Sequence, residues 1–478
     1  MCCDVVGQVK RIGILPDDIL LEIFHFYVDV KRQLYEGKAR VEEWQLLVHV
    51  CRQWRSIVFR SPRRLNLRLY CTPKTPAKDT LDIWPAFPLM VFGDMKPSSG
   101  TDNIIAALEQ RNRVSQVWLT NLANWQLENV LATMQAPFLE LEGLRLTSVD
   151  ETPPVIPDSF LGGSAPRLQF FVLSRISFPG LPKLLLTASH LTYLSLIDIP
   201  HSGYISPEAI VAPSSVLSNL EYLRLSFQSP RSRPGGRLRS SQSPKLSIFP
   251  ALRYFQFKGV TEYLEELVIR IGTPQLNNMK ITFFNQIDFN IPGLAQFINR
   301  TPRLRALDEV HVHVVVPGIA SIRFQYRPSG YHRFGHLLIN ISCSEPDWQL
   351  SSIEQVCNSF HFLSTVEHLY IERQAGALPV WKDDPIENTL WFQLLLPFAV
   401  VKNLYLSMEF VPRIAATLKE LVTSRVTEIL PSLQNIFVEG LGTSGPLREN
   451  IEQFVATRHL SDNPIAISDW DQGHDWNA

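Results

Sequence analysis

Excess charge of either sign, cysteine and long apolar runs are all scarce in this chain. Its 478 residues carry 45 Lys and Arg against 46 Asp and Glu, a net charge of −1. A protein built mainly to bind nucleic acid needs a strong basic field, so that partner class is excluded as the primary one. The six cysteines, Cys2, Cys3, Cys51, Cys71, Cys343 and Cys357, are too few and too irregularly spaced for a disulfide framework, and no C-x-x-C pair offers a zinc ligand set. A reducing compartment is expected, cytoplasmic or nuclear. The longest apolar run, Leu394 to Val401, contains Pro397 and falls far short of the ~20 residues that span a bilayer. The N-terminus meets Gln8, Lys10 and Arg11 early and lacks a signal peptide's unbroken apolar core. No membrane partner is expected, and the sequons at Asn299 and Asn340 read as chance matches.

Catalytic motifs are missing too. There is no Gly-rich phosphate loop, G-x-S-x-G elbow or H-E-x-x-H site. Cys357 and His361 stand at i, i+4, and His311 and His313 share a strand face, but isolated pairs without further ligand spacing are expected to be core or surface residues. Asp383 and Asp384 beside Pro385 read as solvated turn residues. The sequence therefore predicts no enzyme, no metal and no cofactor.

What remains is an ordinary folded composition, 45% hydrophobic and 19% charged, over a length beyond the ~250–300 residues where single cores stop growing. Several domains or a repeat array are the alternatives. The N-terminal segment reads as short amphipathic helices. Pro16 suits a first helical turn, and Asp17 and Asp18 favour the positive end of the helix dipole. Ile19, Ile23 and Phe26 recur at helical spacing, with Leu20 and Phe24 beside them. A second periodic segment, about residues 41–59, aligns Leu47, Cys51, Trp54 and Val58 and ends at Ser61-Pro62. Cys51 is expected to be packed rather than reactive, because His49 two residues away points to another helix face.

Leu15-Pro16 at the helix start, the Ile and Phe spacing and Val50-Cys51-x-x-Trp54-Arg55 resemble the F-box, over about residues 12–60. Asp18 stands where that family usually has Glu, and the charged connection Asp29–Glu43 is longer than usual. The resemblance implies that Leu15, Pro16, Ile19, Leu20, Ile23 and Phe24 contact a Skp-type adaptor and, through it, a cullin. It implies that Leu47, Val50, Cys51 and Trp54 complete that surface or the module's own core.

From Val114 a pattern apolar-x-x-apolar-x-apolar recurs. Its starts are Val114, Leu141, Leu168, Leu191, Leu220, Leu252, Leu276, Leu304, Phe334, Val366, Val401 and Leu433, at a mean spacing of 29 residues. Leu304 is a partial unit, with Glu309 in its last apolar place. Each short strand makes sense if neighbouring units stack on it. The array resembles a degenerate leucine-rich-repeat solenoid. The fold expected is α/β: a short N-terminal helical F-box, then an irregular solenoid whose curved parallel sheet carries helices and loops outside. The spans are 12–60 for the F-box-like module, 61–113 for a connecting segment with the first strands and helix, 114–445 for the repeats and 446–478 for a C-terminal cap helix and tail. Residues 228–247, basic and Pro/Gly-broken, read as a mobile loop.

Aligned strand positions place Phe170, Tyr193, Tyr222 and Tyr254 in consecutive units, with Arg224 two residues after Tyr222. Strands ~4.8 Å apart make these rings a ladder. It either stabilises the sheet by cross-strand packing or anchors a client protein. His368, Tyr370, Tyr405 and Phe437 form a second group, and the tail from Trp470 either folds back on the last unit or is exposed. The resemblance implies a substrate-recognition subunit of a Skp–cullin–F-box ubiquitin ligase, with adaptor at one end and an unidentified client on the repeats. The alternative is an interaction scaffold that does not promote ubiquitination.

Overall fold

Among the described residues, nine of the repeat starts sit two residues before a β-strand of the computed structural model, and Val114 opens a strand itself. The structure describes residues 15–34, 43–62, 64–74, 77–96, 100–230, 246–286, 289–305, 307–315, 318–326, 336–343, 346–372, 385–421, 428–440, 446–460 and 464–470. The chain divides into two compact units, 1–188 and 189–478, each mixed α/β. That division falls inside the span read as repeats.

The first unit contains α1 (Asp17–Leu34), α2 (Glu43–Val48), α3 (Arg52–Arg60), β1 (Leu69–Cys71), α4 (Ala77–Ile83), β2 (Leu89–Asp94), α5 (Asp102–Leu108), β3 (Val114–Leu122), α6 (Asn124–Thr133), β4 (Gly143–Ser148), β5 (Phe170–Ser174) and α7 (Leu181–Leu185). Its five strands pair in chain order, all parallel. The Leu141 unit shows why the sequence pattern marks them. Leu141 is buried in the turn before β4, and Leu144 and Leu146, two apart, project from one side of the strand and are fully buried. Each such side chain contributes roughly 1.5–3 kcal/mol on burial. Between β4 and β5, Gly162 has φ +63°, and a Cβ there would stand 2.6 Å from the Pro137 ring. Only glycine fits that turn.

The segment expected as one helix over 41–59 is two. His49 and Val50 close α2 with tight turns onto Leu46 and Leu47, and Cys51 is extended, at φ −160° and ψ 170°, before α3 begins. At its other end, α1 runs on through Leu34 into the connection read as a loop from Asp29.

The second unit contains β6 (Tyr193–Ile199), α8 (Pro207–Val211), β7 (Tyr222–Phe227), β8 (Ser247–Ile248), β9 (Tyr254–Gly259), α9 (Thr261–Val268), β10 (Ile271–Gly272), β11 (Asn278–Phe283), α10 (Pro292–Arg300), α11 (Pro302–Arg305), β12 (Glu309–Val315), β13 (Ile319–Gln325), β14 (His336–Ser342), α12 (Pro346–Asn358), β15 (His368–Ile371), α13 (Pro385–Leu395), β16 (Asn403–Leu406), α14 (Val411–Leu421), β17 (Asn435–Glu439), α15 (Pro446–Leu460) and β18 (Ala466–Trp470). Its sheet is ordered β6-β7-β9-β11-β14-β13-β12-β15-β16-β17-β18, with β8 and β10 paired apart.

This order corrects the expectation of a wholly parallel array. After β11 the chain crosses to β12, and β12, β13 and β14 then run back as an antiparallel trio that joins β11 through β14. Antiparallel neighbours need only short links, which is how the extra strand β13 fits between two irregular units. Leu304, read as the start of a strand unit, instead lies buried on α11. Phe334 lies outside the described residues, as do 231–245 of the basic stretch. Ser247, the last residue of that stretch, belongs to β8 and pairs with Ile271.

One face of the second unit's sheet is apolar along β12, β13 and β14. Val310, Val312, Ala320, Ile322, Phe324, Leu337, Ile339 and Ile341 are fully buried, and α12 packs across β12, β13 and β14. The opposite face holds the polar and aromatic side chains. At the C-terminus, α15 is followed by β18, which pairs in register with β17, so the tail folds back as far as Trp470. Among the described residues no helix is long and apolar enough to cross a membrane.

Candidate interaction surfaces

Helix α1 carries two apolar stripes, and the structure separates them. Leu20, Phe24 and Val28, spaced i, i+4, i+8, are buried, and the Phe24 ring meets Trp54 of α3 at 4.6 Å. Leu47 and Val48 of α2 and Ile57 and Val58 of α3 join them. Trp44 anchors this helical module onto Trp84 and Phe87, with ring centroids at 5.1 and 5.4 Å. Gln53 donates to Asp17 Oδ1 at 3.2 Å, and Arg64 pairs with Glu22.

The other stripe faces outward. Leu15, Ile19, Ile23 and Phe26 are 39%, 44%, 47% and 73% exposed, and Leu46 and Val50 are 52% and 59% exposed. Pro16 is exposed at the start of the helix, where its carbonyl accepts from Leu20 N–H. Two residues expected on the adaptor surface, Leu20 and Phe24, are therefore module core, because their helical phase turns them inward, and Leu47, expected on that surface or in the core, is core as well. Trp54 is half-buried against Phe24. Cys51, expected to be packed, is exposed and caps α3, its Sγ accepting from Trp54 N–H at 3.5 Å. Phe26 and Leu46 extend the outward face beyond the residues expected to contact an adaptor.

In the second unit the tyrosine ladder is present. Tyr193, Tyr222 and Tyr254 occupy one register across β6, β7 and β9. The Tyr193 and Tyr222 rings stack at 4.1 Å and 6°, and Tyr254, 46% exposed, tilts at 6.2 Å from Tyr222. Arg224 stands in the next register, between Ser195 and Gln256, and Tyr222 donates its hydroxyl to Gln256 Oε1 at 3.2 Å. Lys258 and Asp198 close the row at 3.2 Å. Partial burial pushes the Tyr222 phenol up to about 12, aided by the neighbouring Tyr193 and opposed by Arg224. Phe170 lies on β5 of the first unit. It stacks on Trp118 at 5.5 Å and 17°, and Trp118 continues to Phe92 and Tyr70. Gly143 is paired with Gln116 on one side and Phe170 on the other, and a Cβ there would stand 3.4 Å from Trp118 Nε1, so its missing side chain leaves room for the indole over β4.

The second aromatic group is tighter than its sequence suggested. His311, Tyr370, Tyr405 and Phe437 stack across β12, β15, β16 and β17 with centroid steps of 4.2, 4.1 and 4.5 Å, each within 8° of parallel. His368 lies one register away, in a polar row with Asn403 and Asn435. Trp470 packs against Tyr370 and Tyr405, and all three are buried. This stack is sheet core, whereas the Tyr193–Tyr222–Tyr254 ladder keeps an open end.

Cys357 and His361 do not share a helix. Cys357 is buried on α12, where desolvation pushes its thiol far above the usual range, and His361 lies in the following 3-10 turn. Asp383 and Asp384 lie outside the described residues. No family model matches the chain, and a comparison with curated proteins also finds no match.

Proposed function

We propose that this chain is the substrate-recognition subunit of a Skp–cullin–F-box ubiquitin ligase, with α1–α3 docking on a Skp-type adaptor and the strands after them acting as degenerate leucine-rich repeats. The observation that carries the reading is the outward stripe Leu15, Ile19, Ile23 and Phe26, continued by Val50. Monomeric proteins rarely leave a contiguous patch of large apolar groups in water unless it meets a partner. Beside that stripe stand the Leu-Pro start and the Val-Cys-x-x-Trp-Arg segment that resemble an F-box. The inward stripe keeps the module folded, so the outward one is free to bind.

The client surface in this reading is the ladder Tyr193, Tyr222 and Tyr254 with Arg224, and Phe170 supplies aromatic surface in the first unit. Tyrosine and arginine are the usual anchors of interfaces. Catalysis would be by proximity, raising the effective concentration of client lysines beside a ubiquitin-charged enzyme.

The test is purification of the intact chain and of a form lacking residues 12–60. The ligase reading expects adaptor and cullin with the intact chain alone, and a client that accumulates when the cullin is inactivated. Recovery of the adaptor with a client whose level does not respond to the cullin would favour the scaffold alternative. Absence of both adaptor and cullin from the intact complex would sink the proposal.

A further inference from the structure

Three side chains from distant parts of the sequence converge on β12 and the residue after β15. His311 Nδ1 and Glu372 Oε1 are 2.6 Å apart across 61 residues of chain. His313 Nε2 stands 3.6 Å from the same Glu372 oxygen. The three ligating atoms lie within 4.8 Å of one another, and no other such group of His, Cys, Asp or Glu occurs among the described residues. Register explains the meeting. His311 is paired with Tyr370, so two residues on, on the same sheet face, His313 comes beside Glu372.

His313 is 4% exposed, yet neither ring nitrogen makes a hydrogen bond of good geometry. Buried polar groups are nearly always paired, and leaving one unpaired is costly. The surroundings resemble an outer shell. His311 Nε2 is 2.8 Å from Gln325 Nε2 and 3.8 Å from Glu309 Oε2. With Nδ1 on an ion, Nε2 carries the ring N–H and donates it to an acceptor, here the Glu309 carboxylate or, once the Gln325 amide is turned, its oxygen. Glu309 and Glu372 are both buried, and a divalent cation would offset their paired negative charge.

We propose that His311 Nδ1, His313 Nε2 and Glu372 Oε1 form a binding site for a divalent transition-metal ion, zinc first among them. Imidazole and carboxylate are donors zinc accepts at ~2.0–2.2 Å, and donors around a tetrahedral ion stand roughly 3.3 Å apart. The separations of 2.6 and 3.6 Å bracket that value. The ion displaces the proton held between His311 and Glu372, supplies His313 with its partner and leaves one position for water. It also clips β12 to β15, whose pairing is four residues long.

The full chain, stripped with chelator and desalted, is titrated with Zn²⁺ by calorimetry and with Co²⁺ by visible spectroscopy. One equivalent should bind, giving cobalt d–d bands without a thiolate charge-transfer band. His313→Gln and Glu372→Gln should each weaken binding at least tenfold. No saturable binding, a thiolate band, or binding unchanged in both variants overturns the proposal. The cobalt spectrum of the unaltered chain decides the matter even where a variant fails to fold.

Discussion

Phe24 and Trp54 meet with ring centroids 4.6 Å apart, and that contact fixes which side of α1 faces water. It turns Ile19, Ile23 and Phe26 outward while Leu20 and Val28 go in. Phe24→Ala should cost about 3–5 kcal/mol of local stability, the usual range for a buried aromatic. Ile19→Ala and Ile23→Ala should change stability by less than about 0.5 kcal/mol, since they sit on the surface. Hydrogen exchange across α1 checks both. Equal loss of protection in all three variants would show that the outward stripe is not free.

At Gly162, alanine meets the Pro137 ring and a positive φ together. Gly162→Ala should destabilise the first unit by about 1–3 kcal/mol, whereas Gly163→Ala, with open space around its Cβ, bears only the backbone strain. Urea unfolding followed for the two variants should rank them in that order. Equal midpoints would contradict the turn geometry described.

The Tyr222 phenol gives a pH dependence with a definite sign. Its value is raised from 10 to about 12, so the folded chain holds this proton more tightly than the unfolded chain. The stability it contributes is complete below pH 10 and is lost as pH rises from 10 through about 12. Tyr222→Phe removes that titration, so its urea midpoint should fall less steeply over this window than the parent's. Parallel curves would mean that the phenol is not protected by the stack.

In the proposed reading, client capture depends on the same ladder. Alanine at Tyr193, Tyr222, Tyr254 and Arg224 together should abolish capture while adaptor binding persists. Capture unchanged in a variant that keeps its fold would assign the rings to sheet stability alone.

Strand positions were legible because each unit sets a buried Leu, Val or Phe ahead of two more that alternate inward, as at Leu220, Leu223 and Leu225. The Tyr193–Tyr222–Tyr254 register followed from the same alignment. The turn-back at β12–β14 was not legible, because Ile319–Gln325 lacks the lead-in pattern and its antiparallel pairing rests on contacts distant in sequence. Helix α6 was missed for want of a strong apolar stripe around Asn124–Thr133. Cys51 looked like a helix interior because a thiol is a weak cap that sequence rules pass over. Leu20 and Ile19 are equally apolar, and only packing on Trp54 decides which faces out. Glu372 joins His311 and His313 by strand register alone, which no local spacing reveals.

The adaptor claim is tested most directly by quantifying Skp-type adaptor and cullin recovered with the intact chain and with an Ile19→Glu, Ile23→Glu double variant. Both positions are exposed, so the variant should keep its fold. The account expects both proteins with the intact chain and at least ~10-fold less with the variant, the loss of a central hot spot. Equal recovery with the two, or none with the intact chain, would contradict it.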